Sequence, residues 1–466
     1  MNTQSRESKV VSPKASMVSF ELVEKSNHAS FDKLRMLLLI IFIGISFIAV
    51  AYKPADAQPG FARKHEIACM LCHSTWPRLN EFGFNYMLNG YQLPDTESGG
   101  EAGKIKIAED LPLDNPATFP PFSLRLEGRT YLSRTTHTTA GENEQAGGLL
   151  SSGEMAGNII GGGTLTKNVS YWFELPQGSS QDKITGRITD SMFLGFHNIW
   201  GPGNFNIRFG SLMSSDLDAV HSTRRVISGK SLIPMPMNWS SGNNPSASSG
   251  YNTGRAGSND LGISLYGRPG FGYFTYELAV NQGNGGSADN DNDPNTAYTG
   301  MLRGDFGAVA ASVRYFANPQ GFGGTTGNRK YRNDVGEWVA GIRYSSQRFD
   351  LDFLYDTVSQ SDVSSTGIGT KRESTGFMME GLLRLSESFQ FGAIYETLTE
   401  KDGGTDSNKN ADFAVEGAWY VTQNARITFK SLWDFQDNKY KDKYTVGGEQ
   451  KSIDGSKITV GFDVAL

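Results

Sequence analysis

Cysteine is all but absent from this chain: 466 residues contain two, Cys69 and Cys72. If both are committed to other chemistry, no structural disulfide remains, and stability must come from burial and hydrogen bonding. Long apolar runs are equally scarce. Only residues 36 to 51 (MLLLIIFIGISFIAVA) form one, shorter than the ~18 residues usually read as a membrane helix. A basic surplus is missing too: 43 Lys and Arg stand against 49 Asp and Glu, which argues against a nucleic-acid binder. With 55 glycines and only 38% hydrophobic residues, a helical membrane protein is disfavoured.

The apolar run has the layout of a secretory signal. Lys33 and Arg35 precede it and the small-x-small sequence Ala55-Asp56-Ala57 follows, which predicts cleavage near Gln58. The leader is long, so Met17 is an alternative start, and an uncleaved anchor is the other reading of the run. Removing residues 1–57 takes away seven basic and five acidic residues and leaves 36 against 44.

Both cysteines fall in one motif, Cys69-Met70-Leu71-Cys72-His73. This is the signature for covalent c-type haem: the two thiols add across the vinyl groups and the adjacent imidazole ligates the iron. The sequence therefore predicts one haem c, held by Cys69 and Cys72 with His73 as proximal ligand. Residues 77 to 89 (PRLNEFGFNYMLN) read as a short helix with Pro77 in its first turn and Gly90 as the stop. Leu79, Phe82, Phe84, Tyr86 and Leu88 give it apolar cover for the porphyrin.

From Phe122 onward the chain becomes a series of segments with strict apolar/polar alternation, the period of a two-faced strand. Phe349, Leu351, Phe353 and Tyr355 oppose Asp350, Asp352 and Asp356; Ile427, Phe429 and Trp433 oppose Arg426, Thr428, Lys430 and Asp434. The pattern predicts strands at 122–134, 154–165, 168–176, 187–200, 204–213, 259–267, 271–281 and 298–305. Eight more follow at 308–317, 335–345, 348–358, 374–385, 388–397, 411–422, 425–436 and 456–466. Joins after even-numbered strands are tight, as at Gly201-Pro202-Gly203 and Gln423-Asn424, whereas joins after odd-numbered strands are long and polar, 214–258 being the longest.

That alternation is the layout of a transmembrane outer-membrane β-barrel: about 16 antiparallel strands, short periplasmic turns and long external loops. The fold class is thus all-β, with a small N-terminal haem-binding helical plug. Residues 1–57 are the leader with its signal peptide, 58–120 the monohaem cytochrome plug and 121–466 the porin-like barrel. Trp200, Trp338, Tyr344, Trp419 and Tyr420 are candidates for interfacial girdles.

Spacing alone leaves the second axial ligand of the iron open. Met235 and Met237 in the long loop rank first, because a loop of that length can fold into a barrel and a thioether raises the potential relative to imidazole. His197, on the polar face of the fourth strand, and Met87, on the plug helix, come next; His65 and His221 lie close to the motif and in the long loop. Lumen carboxylates such as Asp350, Asp352, Glu337 and Glu380 are expected to concentrate divalent cations. The acidic run Asp289-Asn290-Asp291-Asn292-Asp293 reads as a solvated loop in preference to a hard-cation site.

The stretch Phe61-Ala62-Arg63-Lys64, the motif Cys69 to His73 with Ser74-Thr75-Trp76-Pro77-Arg78-Leu79-Asn80-Glu81-Phe82-Gly83 after it, and Asn89-Gly90-Tyr91 resemble the fused outer-membrane monohaem cytochrome–porins of iron-oxidising bacteria. The resemblance is specific over residues 61 to 91 and one of architecture beyond them. It implies an Fe(II):cytochrome c oxidoreductase in the outer membrane, taking electrons from extracellular Fe(II) and passing them to a soluble periplasmic cytochrome or similar carrier. The family's covalent and proximal roles carry over to Cys69, Cys72 and His73 only. Two other readings stand beside it: a solute porin whose plug bears haem, and electron export to an extracellular acceptor.

Overall fold

The computed structural model describes residues 60–65, 67–92, 105–108, 111–113, 122–139, 142–148, 153–166, 168–178, 191–213, 216–220, 227, 259–282, 296–322, 331–362, 371–402, 405–434, 444–446 and 449–465. The leader, Met235, Met237, His221 and the acidic run 289–293 lie outside the described residues.

Alternation of apolar and polar side chains produces sixteen barrel strands among the described residues: β1 (Phe122–Thr139), β2 (Gly153–Thr166), β3 (Val169–Gly178), β4 (Ser191–Ile199), β5 (Phe205–Met213), β6 (Asn259–Gly267), β7 (Phe274–Asn281) and β8 (Ala297–Phe306). The second half comprises β9 (Val309–Phe322), β10 (Tyr331–Ser345), β11 (Phe349–Asp362), β12 (Lys371–Arg384), β13 (Phe389–Asp402), β14 (Thr405–Thr422), β15 (Ala425–Asp434) and β16 (Glu449–Ala465). Each pairs antiparallel with its neighbours, and β16 pairs with β1 to close the barrel. Several strands run past their expected ends on the long-loop side, because ladder pairing continues through polar residues such as Arg372 opposite Asp402. Short strands Glu142–Gly148 and Tyr444–Val446 extend that rim.

The distribution of side chains is the inverse of a soluble sandwich. On β4, Met192, Leu194 and Phe196 are exposed while Ser191, Phe193 and His197 are buried; on β11, Phe349 and Tyr355 point out while Asp350, Asp352 and Asp356 are buried. Apolar side chains outside and charges inside suit a lipid surround, and closure leaves no unpaired strand edge in it. The protein is an outer-membrane β-barrel. Trp200, Tyr273, Phe274, Phe306, Tyr344 and Phe349 stand exposed at the short-turn rim as a girdle. Tyr420, expected in a girdle, instead turns inward, where its hydroxyl donates to the Trp76 carbonyl at 3.0 Å.

The segment before the barrel folds as α1 (Gly60–His65), α2 (Cys69–Cys72), a hairpin of His73–Thr75 with Arg78–Leu79, and α3 (Glu81–Leu88). The helix begins later than the expected 77, because the Asn80 side chain accepts from the Gly83 amide at 2.9 Å and so caps it there. Pro77 lies in the hairpin turn instead. At the other end Gly90 takes φ +69°, and a β-carbon on it would stand 2.4 Å from the His197 ring. Only glycine meets both demands.

These elements sit inside the barrel at its short-turn mouth. Cys69 N donates to Gln423 in the β14–β15 turn at 3.2 Å, and Asn198, beside the β4–β5 turn, donates to Asn89 at 2.8 Å. Arg268, at the β6–β7 turn, donates to Asn85 at 2.8 Å, and Arg384 at the end of β12 donates to Thr75 at 2.7 Å. The central tie is Arg78, which pairs with Asp350 at 3.0 Å, Asp352 at 2.6 Å and Glu380 at 2.7 Å, all four side chains no more than 2% exposed. Burial would push the guanidinium down, but the pull of Asp352, Glu380 and Asp350 outweighs it and holds it above its ordinary value.

From the other side, residues 216–220 and Ile227 of the long join after β5 fold into the lumen. Ala219 N donates to Ser312 at 2.9 Å, Asp218 pairs with Arg314 at 3.0 Å, and Val220 and Ile227 pack on Val339, Leu354, Met378 and Ile394. The expectation that this loop can enter the barrel is met for its described part.

Removing Arg78 takes an ion-pair partner from each of three buried carboxylates at once, a loss of roughly 3–5 kcal/mol of plug attachment. Arg78→Met is expected to leave the barrel heat-modifiable on gels while residues 60–92 become cleavable by added protease; wild-type resistance in the variant would contradict this. Gly90→Ala is expected to lower the unfolding midpoint in denaturant through clash and strain together, and an unchanged midpoint would count against the packing described.

Candidate functional site

A cavity of about 430 Å³ lies between the plug and the inner faces of β1–β4 and β16. Cys69, Cys72, His73 and Met87 all line it. The i, i+3 spacing across the single turn of α2 puts both thiols on one side, while Met70 and Leu71 between them are exposed. His73 then leaves the helix in extended conformation (φ −117°, ψ 129°), so its imidazole follows the thiols into the same space.

What holds this geometry is Asn80. Besides capping α3, its backbone amide donates to the Cys72 carbonyl at 3.0 Å and its side-chain amide to the Leu71 carbonyl at 2.9 Å. Gly83 lets α3 cross in contact with this turn, for a β-carbon there would stand 2.1 Å from the Cys72 carbonyl oxygen. Neither residue was singled out from sequence as a site residue. An Asn at the start of a helix that follows a haem motif was the available signal.

One wall of the cavity is a flat aromatic layer. Trp172 of β3 stacks on Tyr91 at 5.5 Å and 18°, and Tyr91 stacks on Phe61 at 5.2 Å and 13°. Tyr86 meets Phe61 edge-on, and its hydroxyl lies 2.9 Å from His65 Nε2. Trp76 forms another part of the wall, with the guanidinium of Arg125 at 5.1 Å and that of Arg426 at 5.5 Å from its ring centre. Polar lining comes chiefly from the barrel: Ser123, Arg125, Asn158, Glu174 and Ser191, with Asp216 from the inward loop.

Of the expected second ligands, the structure brings Met87 into the cavity, 9% exposed. His197 is placed elsewhere: its Nε2 lies 2.5 Å from Ser170 Oγ, its Nδ1 3.4 Å from Tyr266, and Gly90 packs against the ring. It is buried packing between wall and plug, outside the cavity lining. Met235 and Met237 lie outside the described residues. Asp350, Asp352 and Glu380 do not offer free charge to passing cations either, since Arg78, Arg343 and Arg384 engage them.

Burial pushes the Cys72 thiol up to about 11, with the neighbouring Cys69 adding to it, and burial also raises Cys69. Reactive redox thiols need the opposite environment. The pair is thus suited to a permanent apolar attachment and poorly suited to turnover as thiolates. The residues fit a covalently held porphyrin: two thiols, an imidazole and a thioether face one largely apolar, aromatic-walled space.

No family model matches the chain, and no curated protein matches it. Among solved structures it is similar to outer-membrane expressed OmpT of Vibrio cholerae, with 12% identity over 78% of this chain and 100% of that one at TM-score 0.47. An anion-selective porin from Comamonas acidovorans gives 14% identity over 74% and 100% at TM-score 0.47. Salmonella typhi OmpF, in a complex with daunomycin, gives 11% identity over 74% and 97% at TM-score 0.44.

With a thiol at about 11 against an ordinary 9.0, the thiolate fraction at pH 7 falls about a hundredfold. Cofactor-free protein refolded in detergent is therefore expected to react with iodoacetamide at Cys72 about a hundred times more slowly than a model thiol, accelerating about tenfold per pH unit up to pH 11. A rate plateau below pH 9 would contradict the burial described.

Proposed function

We propose that this porin-like outer-membrane barrel is a monohaem electron-transfer protein, taking electrons from extracellular Fe(II) and delivering them to a soluble periplasmic carrier. The observation that carries the reading is the convergence of Cys69, Cys72, His73 and Met87 on one cavity inside the barrel mouth. Covalent haem c, when bound, supplies one-electron transfer between its ferric and ferrous states.

The chain's residues divide the remaining work. Cys69 and Cys72 would tether the group through thioethers, and His73 and Met87 are the side chains available to the iron. Phe61, Tyr91, Trp172 and Trp76 exclude water from the space. Arg78 fixes the plug, and with it the tether, in the periplasmic mouth, near a carrier arriving from that side. The membrane's apolar core is about 30 Å thick and the cavity lies towards the short-turn mouth of the barrel, so a small donor from outside must travel down the lumen. Fe(II) as that donor is supported by the resemblance of residues 61–91 to the cytochrome–porins of iron oxidisers. The plug and the inward loop segment both occupy lumen space, which favours this reading over a solute porin.

The test is a reduced-minus-oxidised absorption spectrum of the full-length protein purified from outer membranes, recorded while ferrous salt is added. A c-type spectrum appearing within seconds to minutes is expected, and its loss in Cys69→Ala/Cys72→Ala. Reduction by dithionite but not by iron would overturn the donor; a colourless protein would overturn the whole reading.

A further inference from the structure

Among the described residues that line the cavity, Arg125 alone carries a full positive side-chain charge. Its guanidinium is clamped on one edge only: Nε donates to Asp463 Oδ1 at 3.2 Å and Nη2 to Asp463 Oδ2 at 3.1 Å, Nη2 also pairing with Glu127. Nη1 makes no hydrogen bond among the described residues, and the side chain keeps 19% exposure although it lies over Trp76 in the cavity wall. A two-point clamp on Nε and Nη2 fixes the plane of the fork and leaves its third nitrogen free to donate.

The neighbours make this a place for an anion. Ser123 lies two residues before Arg125 on β1, and Asn158 is its register partner on β2; both line the cavity. The two carboxylates that line the cavity are both engaged: the Asn158 amide donates to Glu174 at 2.8 Å, and Asp216 pairs with Arg208 at 3.3 Å. The plug, by contrast, contributes thiols, imidazole, thioether and aromatic surface. The plug side of the space is therefore apolar, while the adjoining part of β1 and β2 carries Ser123, Arg125 and Asn158. A porphyrin has the same two-sidedness, carrying two propionates along one edge.

We infer that Arg125 is the propionate anchor of this cavity: its Nη1 donates to a haem propionate carboxylate, and Ser123 and Asn158 complete the polar edge. This rests on the haem reading above. It makes Arg125 a cofactor-binding residue and orients the group with its carboxylate edge against β1 and β2. The guanidinium also places positive charge beside the porphyrin, which disfavours the ferric state and raises the potential.

The experiment is resonance Raman spectroscopy with redox titration of the detergent-purified full chain, comparing wild type, Arg125→Gln, Arg125→Lys and, as a control cation away from the cavity, Lys371→Gln, whose exposed side chain pairs with Glu373. The propionate bending band is expected to move to lower frequency and the midpoint potential to fall in Arg125→Gln, with Arg125→Lys intermediate and the control unchanged. The wild-type band is expected to shift in deuterated buffer, a measurement that needs no variant to fold. A band indifferent to deuterium, or unchanged in both Arg125 variants, overturns the inference while the wild-type haem spectrum still stands. Absence of that spectrum would instead overturn the reading on which it rests.

Discussion

The buried charge cluster around Arg78 is the constraint on which the arrangement depends. Arg343 and Arg384 of the barrel wall engage Asp352 and Asp350 respectively, and Arg78 from the plug joins both of these and Glu380. Three cations thus meet three carboxylates, and the set is neutral only when the plug is in place. With the plug seated these groups are almost fully buried, so each charge needs its partner: an uncompensated ion there costs several kcal/mol. The same cluster gives register: Arg78 follows His73 by five residues, so anchoring it fixes where the cysteine motif can lie.

Around that anchor the neutral contacts act as a socket. Thr75, Trp76, Asn85 and Asn89 each meet a wall residue close to a short turn. The plug is thus fastened to the short-turn rim of the barrel. The inward loop closes on the plug from above, Leu217 joining the apolar cluster of Phe84, Tyr86 and Met87. What results is a cavity walled by two separate parts of the chain, the plug and the barrel. That is what a group too large for a thirty-residue segment to bury alone requires.

Much of the barrel was legible in sequence because the signal is local and periodic. Alternation such as Asp350, Asp352 against Leu351, Phe353 reports the two faces directly, and tight joins such as Gln423-Asn424 report which rim is which. Of the candidate site, the cysteine motif was legible in sequence and its surroundings were not. Cys69, Cys72 and His73 are adjacent in sequence, whereas the choice between Met87 and His197 depends on whether Gly90 or the cavity takes up the imidazole, a tertiary fact. The carboxylates of β11 and β12 were read as cation attractors, since nothing in the periodicity says that an arginine some 270 residues earlier will neutralise them. Arg125 was hidden for the same reason: the role proposed for it follows from a clamp to Asp463, at the far end of the chain.

The account stands on Cys69 and Cys72 being used for attachment inside this mouth and not as free thiols. Peptide mass mapping of the protein extracted from outer membranes, after exhaustive alkylation, tests that most directly. One fragment spanning Cys69 to His73 should carry the mass of a single haem with neither sulfur alkylated. Recovery of that fragment bearing two alkyl groups and no haem would contradict it.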